Sequence, residues 1–258
     1  MVMLTCVAML GACQTTTPNK LSKDPQKAVE SRTKLAAQHI RNGDLDAAKK
    51  VLDQALKTDS RSVETHIMMG VLLQTEGSPK NLDLAEHHYK RAIALDPKNA
   101  RARNNYGGYL YQRERYNEAI EQLSIAGSTL GYEQRGAALQ NIGRTYLKLN
   151  DKVNAERYLT QALQVDRGLY LAMIELAEIY YLSERSKEAR QAYEMFVRTV
   201  GQNNQDAAAL WTGLRVARAN EDRIGMQVLA NQLRALYPNS AEYKRYLQLQ
   251  YTTEAVWK

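Results

Sequence analysis

Small residues recur along the chain at a long and regular interval. One set is spaced by 37, 34, 36 and 34 residues and comprises Ala48, Ala85, Ala119, Ala155 and Ala189. An upstream set is spaced by 34, 37, 36 and 34 residues and comprises Ala36, Gly70, Gly107, Gly143 and Ala177. Large apolar or aromatic residues stand beside the upstream set, namely Leu35, Met69, Tyr106, Ile142 and Leu176. Because each interval contains two small positions, the pattern predicts a series of paired helices.

The length and composition of this interval are typical of the tetratricopeptide repeat, a hairpin of two antiparallel helices about 34 residues long. A large side chain at a small position would hold the two helices apart, whereas the larger neighbours fill the grooves between them. Pro97 and Pro238 end second helices, because proline cannot continue the hydrogen-bond ladder. We therefore predict an all-α fold, a right-handed superhelix of about six hairpins with a C-terminal capping helix.

The repeat register divides the chain into four parts. The predicted hairpins cover residues 29–62, 63–99, 100–135, 136–169, 170–203 and 207–240. The sixth keeps Gly213 and Pro238 in register but has no clear alanine pair. Residues 241–251 are expected to cap the last hairpin, which would otherwise expose an apolar face. The predicted parts are a signal peptide (1–12), a lipidated tether (13–28), the superhelix (29–251) and a tail (252–258).

The amino-acid composition agrees with a helical protein but does not identify a class of partner. Only 14 of the 258 residues are glycine and 5 are proline, so helix breakers are sparse. The formal net charge is +7, but the basic residues are spread along the chain, and we assign most of them to solvated helix faces. They form no basic platform interleaved with aromatic residues, so nucleic acid is not a predicted partner.

The N-terminal residues have the features of an export signal. Residues 1–12 carry no charge and are too few to span a bilayer, which takes about 20 apolar residues. They end in Leu10-Gly11-Ala12-Cys13, which resembles the lipobox of bacterial lipoproteins. Small residues there admit the signal peptidase, and the thiol accepts the diacylglyceryl group. The sequence thus predicts lipidation of Cys13; the alternative is a buried apolar segment with a chance cysteine.

The residues around Cys13 refine this hypothesis. No Lys or Arg precedes Cys13, so we expect the true start to lie upstream of Met1. By resemblance to enterobacterial sorting, Gln14 rather than Asp after the cysteine favours the outer membrane, with the folded part facing the periplasm. The polar residues 14–26 are expected to form a flexible tether. No disulfide can cross-link the repeats, because Cys6 and Cys13 are the only cysteines.

The first helix of each hairpin is expected to line the concave side of the superhelix. Amide side chains there can bond an extended peptide backbone, aromatic residues supply anchors, and arginine pairs with carboxylates. For any one of these residues the alternative is ordinary packing or solvation. The predicted partner-binding residues are Asn104, Asn105, Gly108, Tyr111, Gln140, Asn141, Arg144, Lys148, Glu178, Tyr181, Trp211 and Arg215.

Gly108 is the most unusual of these residues. Adjacent glycines within a helix cost about 1 kcal/mol each relative to alanine. Gly107 is explained by packing inside the hairpin, but Gly108 lies on the groove side. We therefore expect a partner, or a neighbouring helix, to approach Gly108 closely.

Catalytic and metal-binding patterns are missing from the sequence. None of the four histidines lies in a His-Glu-x-x-His arrangement. His87 and His88 are adjacent, so on a helix their side chains point about 100° apart and do not converge on a metal. There is no phosphate loop, dinucleotide turn or serine nucleophile elbow. We predict a binding protein with no enzymatic activity, cofactor, metal or small-molecule substrate.

Two segments resemble a known family. NNYGGYLYQRERYNEA (104–119) and LRALYPNSAEY (233–243), together with the lipobox and six repeats, resemble the PilF/PilW family of type IV pilus biogenesis lipoproteins. The resemblance implies a pilotin, which helps the pilus secretin reach the outer membrane and form its multimeric ring. It also implies acylation of Cys13 and contact of the secretin subunit with the groove from Asn104 to Tyr111. The alternative is a general envelope repeat lipoprotein serving outer-membrane or peptidoglycan assembly.

Overall fold

The computed structural model describes residues 24–253 and 257. Over these residues the chain is all-helical, as predicted, with thirteen α-helices, one short 3-10 helix at Gln202–Asn204 and no strand. The α-helices are Pro25–Arg41 (α1), Leu45–Thr58 (α2), Val63–Glu76 (α3), Pro79–Leu95 (α4), Ala100–Gln112 (α5), Tyr116–Ser128 (α6), Arg135–Lys148 (α7), Lys152–Val165 (α8), Tyr170–Leu182 (α9), Ser186–Val200 (α10), Ala207–Ala219 (α11), Arg223–Leu236 (α12) and Ala241–Leu249 (α13).

Consecutive helices pack as six hairpins, from α1 with α2 to α11 with α12, and α13 packs on α11 and α12. This arrangement matches the repeat register read from the alanines and glycines. The first helix begins at Pro25, four residues before the expected start at 29, because Asp24 caps it through its carboxylate. Proline suits the first helical position, where no intrahelical donor is needed.

The small residues lie at the helix contacts within each hairpin. A Cβ added to Gly107 would lie 2.5 Å from Leu123 Cγ, and one added to Gly143 would lie 2.7 Å from Leu159 Cγ. Such distances are far below van der Waals contact, so only glycine permits this separation of the helices. The structure therefore confirms the predicted reason for Gly107.

The turn inside each hairpin requires one left-handed residue. Only two of the six turns have glycine there, and the others have Glu or Asn with φ between 58° and 60°. The left-handed residues are Gly43, Gly77, Glu114, Asn150, Glu184 and Glu221. A side chain in this conformation costs about 1–2 kcal/mol, so these turns are held by the packing of the helices on either side.

Two arginines join neighbouring hairpins on the second-helix side. Arg115 stands at the N-cap of α6, where its guanidinium binds Glu118 Oε2 at 2.6 Å and Glu86 Oε1 of α4 at 2.8 Å. Arg185 does the same at α10, binding Glu188 at 3.1 Å and Glu156 of α8 at 2.8 Å. Arg115 and Arg185 thus make equivalent ion pairs at equivalent positions of two hairpins.

The sixth hairpin departs from the pattern. Met226 and Ala230 stand where the other hairpins have an alanine and a larger residue. Tyr193 of the fifth hairpin reaches across instead, and a Cβ on Gly213 would overlap its hydroxyl oxygen at 2.1 Å. A cleft of about 420 Å³ remains beside Tyr193, Gly213 and Leu229. The missing alanine pair in the sequence reflects this different packing.

Candidate partner-binding groove

The first helices of the hairpins lie side by side along the stack. Contacts run from α1 to α3, then to α5, α7, α9 and α11. All twelve residues predicted to bind a partner lie on α5, α7, α9 and α11, four of the helices that form this surface. On α5 and α7 all of them except Gln140 are half-buried or exposed, whereas on α9 and α11 Tyr181, Trp211 and Arg215 are buried.

Four of the predicted residues meet in one cleft between α5 and α7. The cleft has a volume of about 310 Å³ and is lined by Gly108, Tyr111, Gln112, Asn141 and Arg144. Gln112 was not predicted, and its Oε1 accepts a hydrogen bond of 2.6 Å from Gln74 Nε2 on α3. The hydrogen bond between Gln74 on α3 and Gln112 on α5 therefore holds the Gln112 side of the cleft in place.

Gly108 opens the cleft. A Cβ added there would meet no atom within 4 Å, so no neighbouring helix of the described chain approaches this glycine. Tyr111 lies half-buried beside it, in edge contact with Tyr116 at 5.8 Å between ring centres. The guanidinium of Arg144 lies 5.8 Å from the Tyr111 ring centre, within cation–π range. Tyr111 and Arg144 therefore line the cleft beside the backbone of Gly108, where no side chain fills the space.

Arg144 is incompletely paired. Its Nε is buried and has no hydrogen-bond partner among the described residues. The carboxylate of Glu175 on α9 lies 3.8 Å away, which is too far for a hydrogen bond. Burial raises the pKa of the Glu175 carboxyl, while the charge of Arg144 opposes that rise. A buried donor without an acceptor costs about 1–3 kcal/mol.

The two neighbouring asparagines differ. Asn105 Nδ2 donates to the Arg101 carbonyl oxygen of its own helix at 2.8 Å. Asn104 Oδ1 is buried and has no hydrogen-bond partner in the described chain. Lys148, at the end of α7, is exposed to solvent. Asn104 therefore retains unused hydrogen-bonding capacity next to the cleft.

Gln140 is turned away from solvent. It is 7% exposed, and its Oε1 accepts a hydrogen bond of 3.2 Å from the Ala172 backbone nitrogen. Ala172 lies in the first turn of α9, and the N-cap of that helix, Leu169, has no capping side chain. Gln140 thus supplies a partner for a helix N-terminus, a role that its sequence position alone did not indicate.

The groove residues on α9 and α11 form one cluster of interacting side chains. Arg215 pairs with Glu178, and Thr212 Oγ1 donates to Glu178 Oε2 at 3.3 Å. The Arg215 guanidinium also lies 5.0 Å from the Tyr181 ring centre and 5.4 Å from that of Trp211. Tyr181, Trp211 and Arg215 are between 2% and 7% exposed. These side chains contact one another, and Glu178, Trp211 and Arg215 also line a cleft of about 490 Å³ beside α9 and α11.

Trp257 packs against this cluster. It stacks on Trp211 with ring centres 5.2 Å apart and an interplanar angle of 11°. Its Nε1 donates to the Leu249 carbonyl oxygen at 2.9 Å, and Arg218 lies 4.6 Å from its ring centre. The sequence placed 252–258 in a tail, whereas the structure buries Trp257 fully. The signal of this contact in the sequence is a tryptophan near the C-terminus, in the segment 252–258.

Some predictions fall outside this geometry. Cys13 and the rest of the lipobox lie outside the described residues. Between residues 24 and 253, and at 257, no helix combines the length and apolarity needed to cross a membrane. Within the same residues no three His, Cys, Asp or Glu side chains cluster as metal ligands.

The comparisons with known proteins agree with this architecture. A tetratricopeptide repeat family model matches residues 80–126 and 141–207. The solved structure titled as the functional characterisation of Pseudomonas aeruginosa pilF superposes with a TM-score of 0.81 and 32% identity, covering 87% of this chain and 98% of that one. The structure of PilW, titled a widely conserved type IV pilus biogenesis factor, superposes with a TM-score of 0.74 over 86% of this chain and 99% of its own, at 24% identity.

The paired helices and their register therefore define a tetratricopeptide repeat protein, a binding scaffold rather than an enzyme. Over 249 residues the chain is 34% identical to the type IV pilus assembly protein PilF of Pseudomonas aeruginosa, covering 95% of this chain and 96% of that protein. The chain belongs to the PilF family of type IV pilus assembly proteins.

Proposed function

We propose that this protein is an outer-membrane lipoprotein of type IV pilus biogenesis, a pilotin that binds the pilus secretin subunit and promotes its localisation and multimerisation. The observation that carries the proposal is the similarity to PilF over 95% of this chain, combined with a cleft between the first helices α5 and α7. The proposed partner is a protein, held in the groove without cofactor, small-molecule substrate or nucleic acid.

In this proposal the acylated Cys13 and the helical stack have separate roles. Acylation of Cys13 anchors the protein in the outer membrane facing the periplasm, because each buried methylene adds about 0.8 kcal/mol of membrane binding. The helical stack presents the groove near the membrane surface. Confining the secretin subunits to that surface raises their effective concentration, and this favours assembly of the ring.

The N-terminal half of the groove supports the binding role better than the C-terminal half, because its residues are less buried. Gly108, Tyr111, Asn141 and Arg144 line the cleft between α5 and α7 and are all partly exposed. Tyr181, Trp211 and Arg215 are at most 7% exposed, although Trp211 and Arg215 line a second cleft together with Glu178. We therefore place the secretin contact on α5 and α7, together with the exposed Lys148. Asn104 and Asn105 flank this contact on the preceding turn of α5.

The experiment is lipidation-site exchange in the native host. Cys13→Ser is expected to leave the helical content unchanged, release the protein into the periplasm and reduce secretin multimers and twitching motility. Cys6→Ser serves as the matched control, since that cysteine lies outside the lipobox. Normal outer-membrane fractionation of Cys13→Ser would refute the anchor. Normal secretin multimers in a deletion strain would favour the general envelope scaffold instead.

A further inference from the structure

Two histidines from different helices meet inside the second hairpin. His66 lies near the start of α3, and His88 lies in the middle of α4. Their Nδ1 atoms are 2.9 Å apart, and their ring centres are 5.1 Å apart. The adjacent His87 and His88 diverge along one helix, whereas the hairpin brings His66 to His88 from 22 residues away. Folding therefore creates a pair of converging imidazoles that no short sequence motif contains.

The tautomer of His66 is fixed by the connection that precedes α3. Its Nε2 lies 3.1 Å from the Ser60 carbonyl oxygen, which can only accept, so Nε2 carries the proton. The other ring nitrogen, Nδ1, then has a lone pair that points at His88. A hydrogen bond from the second ring nitrogen to a backbone carbonyl is the arrangement that orients histidine ligands in metal sites. His66 thus presents a neutral nitrogen ligand in a defined orientation.

The separation of the two Nδ1 atoms selects the geometry of an ion between them. With metal–nitrogen bonds of about 2.0–2.1 Å, two nitrogens 2.9 Å apart subtend an angle of about 90° at the ion. A tetrahedral ion such as zinc would need the nitrogens about 3.3 Å apart. Square-planar and tetragonal ligand sets of nitrogen and oxygen are typical of Cu²⁺ and Ni²⁺, and Cu²⁺ binds such ligands more tightly. The spacing therefore favours divalent copper.

The surroundings of the pair leave the remaining ligand positions to water. No third His, Cys, Asp or Glu of the described chain joins the two histidines in a metal-binding cluster. His88 is half-buried and His87 beside it is exposed, so water reaches this side of the pair. Lys49 and Asp53 of α2 act on His88 with opposite charges and pair with each other at 2.7 Å. Because these charges offset one another, the nitrogen lone pairs supply the attraction for the ion.

We infer that His66 and His88 bind one divalent copper ion, with both Nδ1 atoms as cis ligands and water in the remaining positions. In the metal-free protein His88 Nδ1 donates its proton to His66 Nδ1. The bound ion takes the place of that proton, which moves through solvent to His88 Nε2, so both imidazoles stay neutral. The ion links α3 to α4 and, through the hydrogen bond to Ser60, to the connection from the first hairpin. The site shares no residue with the proposed partner-binding groove.

The test uses the full chain without an affinity tag, carrying Cys6→Ser and Cys13→Ser so that no thiol competes for the metal. After dialysis against EDTA and then against buffer, CuSO₄ is added and binding is measured by isothermal titration calorimetry. One ion per chain is expected, with electron paramagnetic resonance showing hyperfine coupling to two nitrogens. Saturation with copper should raise the melting temperature by several degrees, because the ion binds the folded hairpin more tightly than the unfolded chain.

Substitutions at the histidines assign the ion to the pair. His88→Gln and His66→Gln each remove one ligand and are expected to weaken copper binding at least about tenfold, the effect of losing even an outer-shell partner. Glutamine at position 66 keeps an amide N–H for the Ser60 carbonyl. The matched controls His87→Gln and His39→Gln should bind copper as the parent chain does. Melting of each metal-free variant verifies folding, and if His66→Gln does not fold, the half-buried His88→Gln decides alone.

Three results would overturn the inference. Copper binding that is unchanged in His88→Gln and His66→Gln would place the ion elsewhere on the chain. A loss in His87→Gln as large as that in His88→Gln would assign the ion to the adjacent histidines. Zinc chloride binding to the same pair as tightly as copper would show that the spacing of the two nitrogens does not select the metal.

Discussion

Trp257 lies parallel to Trp211 across the C-terminal end of the groove, with ring centres 5.2 Å apart. Tyr246 meets Trp257 edge-on at 6.2 Å, and Arg245 lies 5.5 Å from the Trp211 ring centre. The contact buries residues of two segments that are 46 positions apart, so it ties the end of the chain to α11.

Trp257→Ala is expected to loosen α13, because α13 has no fully buried residue of its own. Truncation of a buried tryptophan to alanine costs about 3–5 kcal/mol. The protein has only two tryptophans, so near-ultraviolet circular dichroism reports their stacking directly, and thermal melting gives the stability. The control Tyr251→Ala, at a side chain that is 91% exposed, should change neither signal. An unchanged near-ultraviolet spectrum for Trp257→Ala would contradict the stacked pair.

Gly107 and Gly108 are adjacent but should respond oppositely to alanine. Gly107→Ala pushes a Cβ to 2.5 Å from Leu123, and overpacking of this kind costs about 1–3 kcal/mol. Gly108→Ala meets no atom and should stabilise α5 by up to about 1 kcal/mol through helix propensity. Denaturant unfolding of the two variants measures both changes. A loss of stability at Gly108 would show that a helix of the chain packs against it.

The left-handed turn at Glu114 should favour glycine. Glu114→Gly removes the strain of φ 60° and is expected to raise the free energy of unfolding by about 0.5–1 kcal/mol. Glu121→Gly, at an exposed position inside α6, should instead lower it by about 1 kcal/mol. Urea titrations compare the two directly, and a destabilised Glu114→Gly would mean that the side chain contributes more than its backbone strain costs.

The stability of the second hairpin should fall in mild acid. His66 Nε2 lies 3.1 Å from the Ser60 carbonyl oxygen and must donate to it, so His66 Nδ1 accepts from His88 Nδ1 at 2.9 Å. Burial lowers the pKa of His66, and burial with the charges of His66, His87 and Lys49 lowers the pKa of His88 to about 4, although Asp53 opposes the shift. Protonation of His66 at Nδ1 would set two donors against each other, and protonation of His88 would place a charge in a partly buried site.

Because the folded pKa of His88 lies below its ordinary value of 6.5, the unfolded chain takes up protons first as the pH falls. This contribution is complete above pH 6.5 and is lost as the pH falls towards about 4. Melting temperatures between pH 7 and pH 4 should drop by several degrees in the wild type and less in His88→Gln. The exposed His87 provides the control: its charge is a smaller cause of the lowered His88 pKa than burial is, so His87→Gln should keep most of the acid sensitivity. Equal slopes in all three proteins would exclude the histidine pair as the cause.

The repeat register predicts which helices line the groove but not the state of their residues. It puts Asn104, Gly108, Tyr111 and Arg144 on the first-helix side, and in the structure Gly108, Tyr111 and Arg144 line the cleft between α5 and α7. The same register could not show that Gln140 caps α9, because its partner lies 32 residues away. It also could not show that Arg215 pairs with Glu178. The repeat period determines which helices are neighbours, but it does not determine the side-chain rotamers through which they interact.

The sequence by itself determined the helical hairpins, their register and the small residues between them, because helix periodicity and the need for close approach act within each repeat. The tertiary structure alone decided which groove positions remain open. The burial of Trp211 by Trp257 and the reach of Tyr193 across to Gly213 depend on contacts between repeats. Such contacts depend on how large side chains fill the space left by small ones, and no local pattern specifies that.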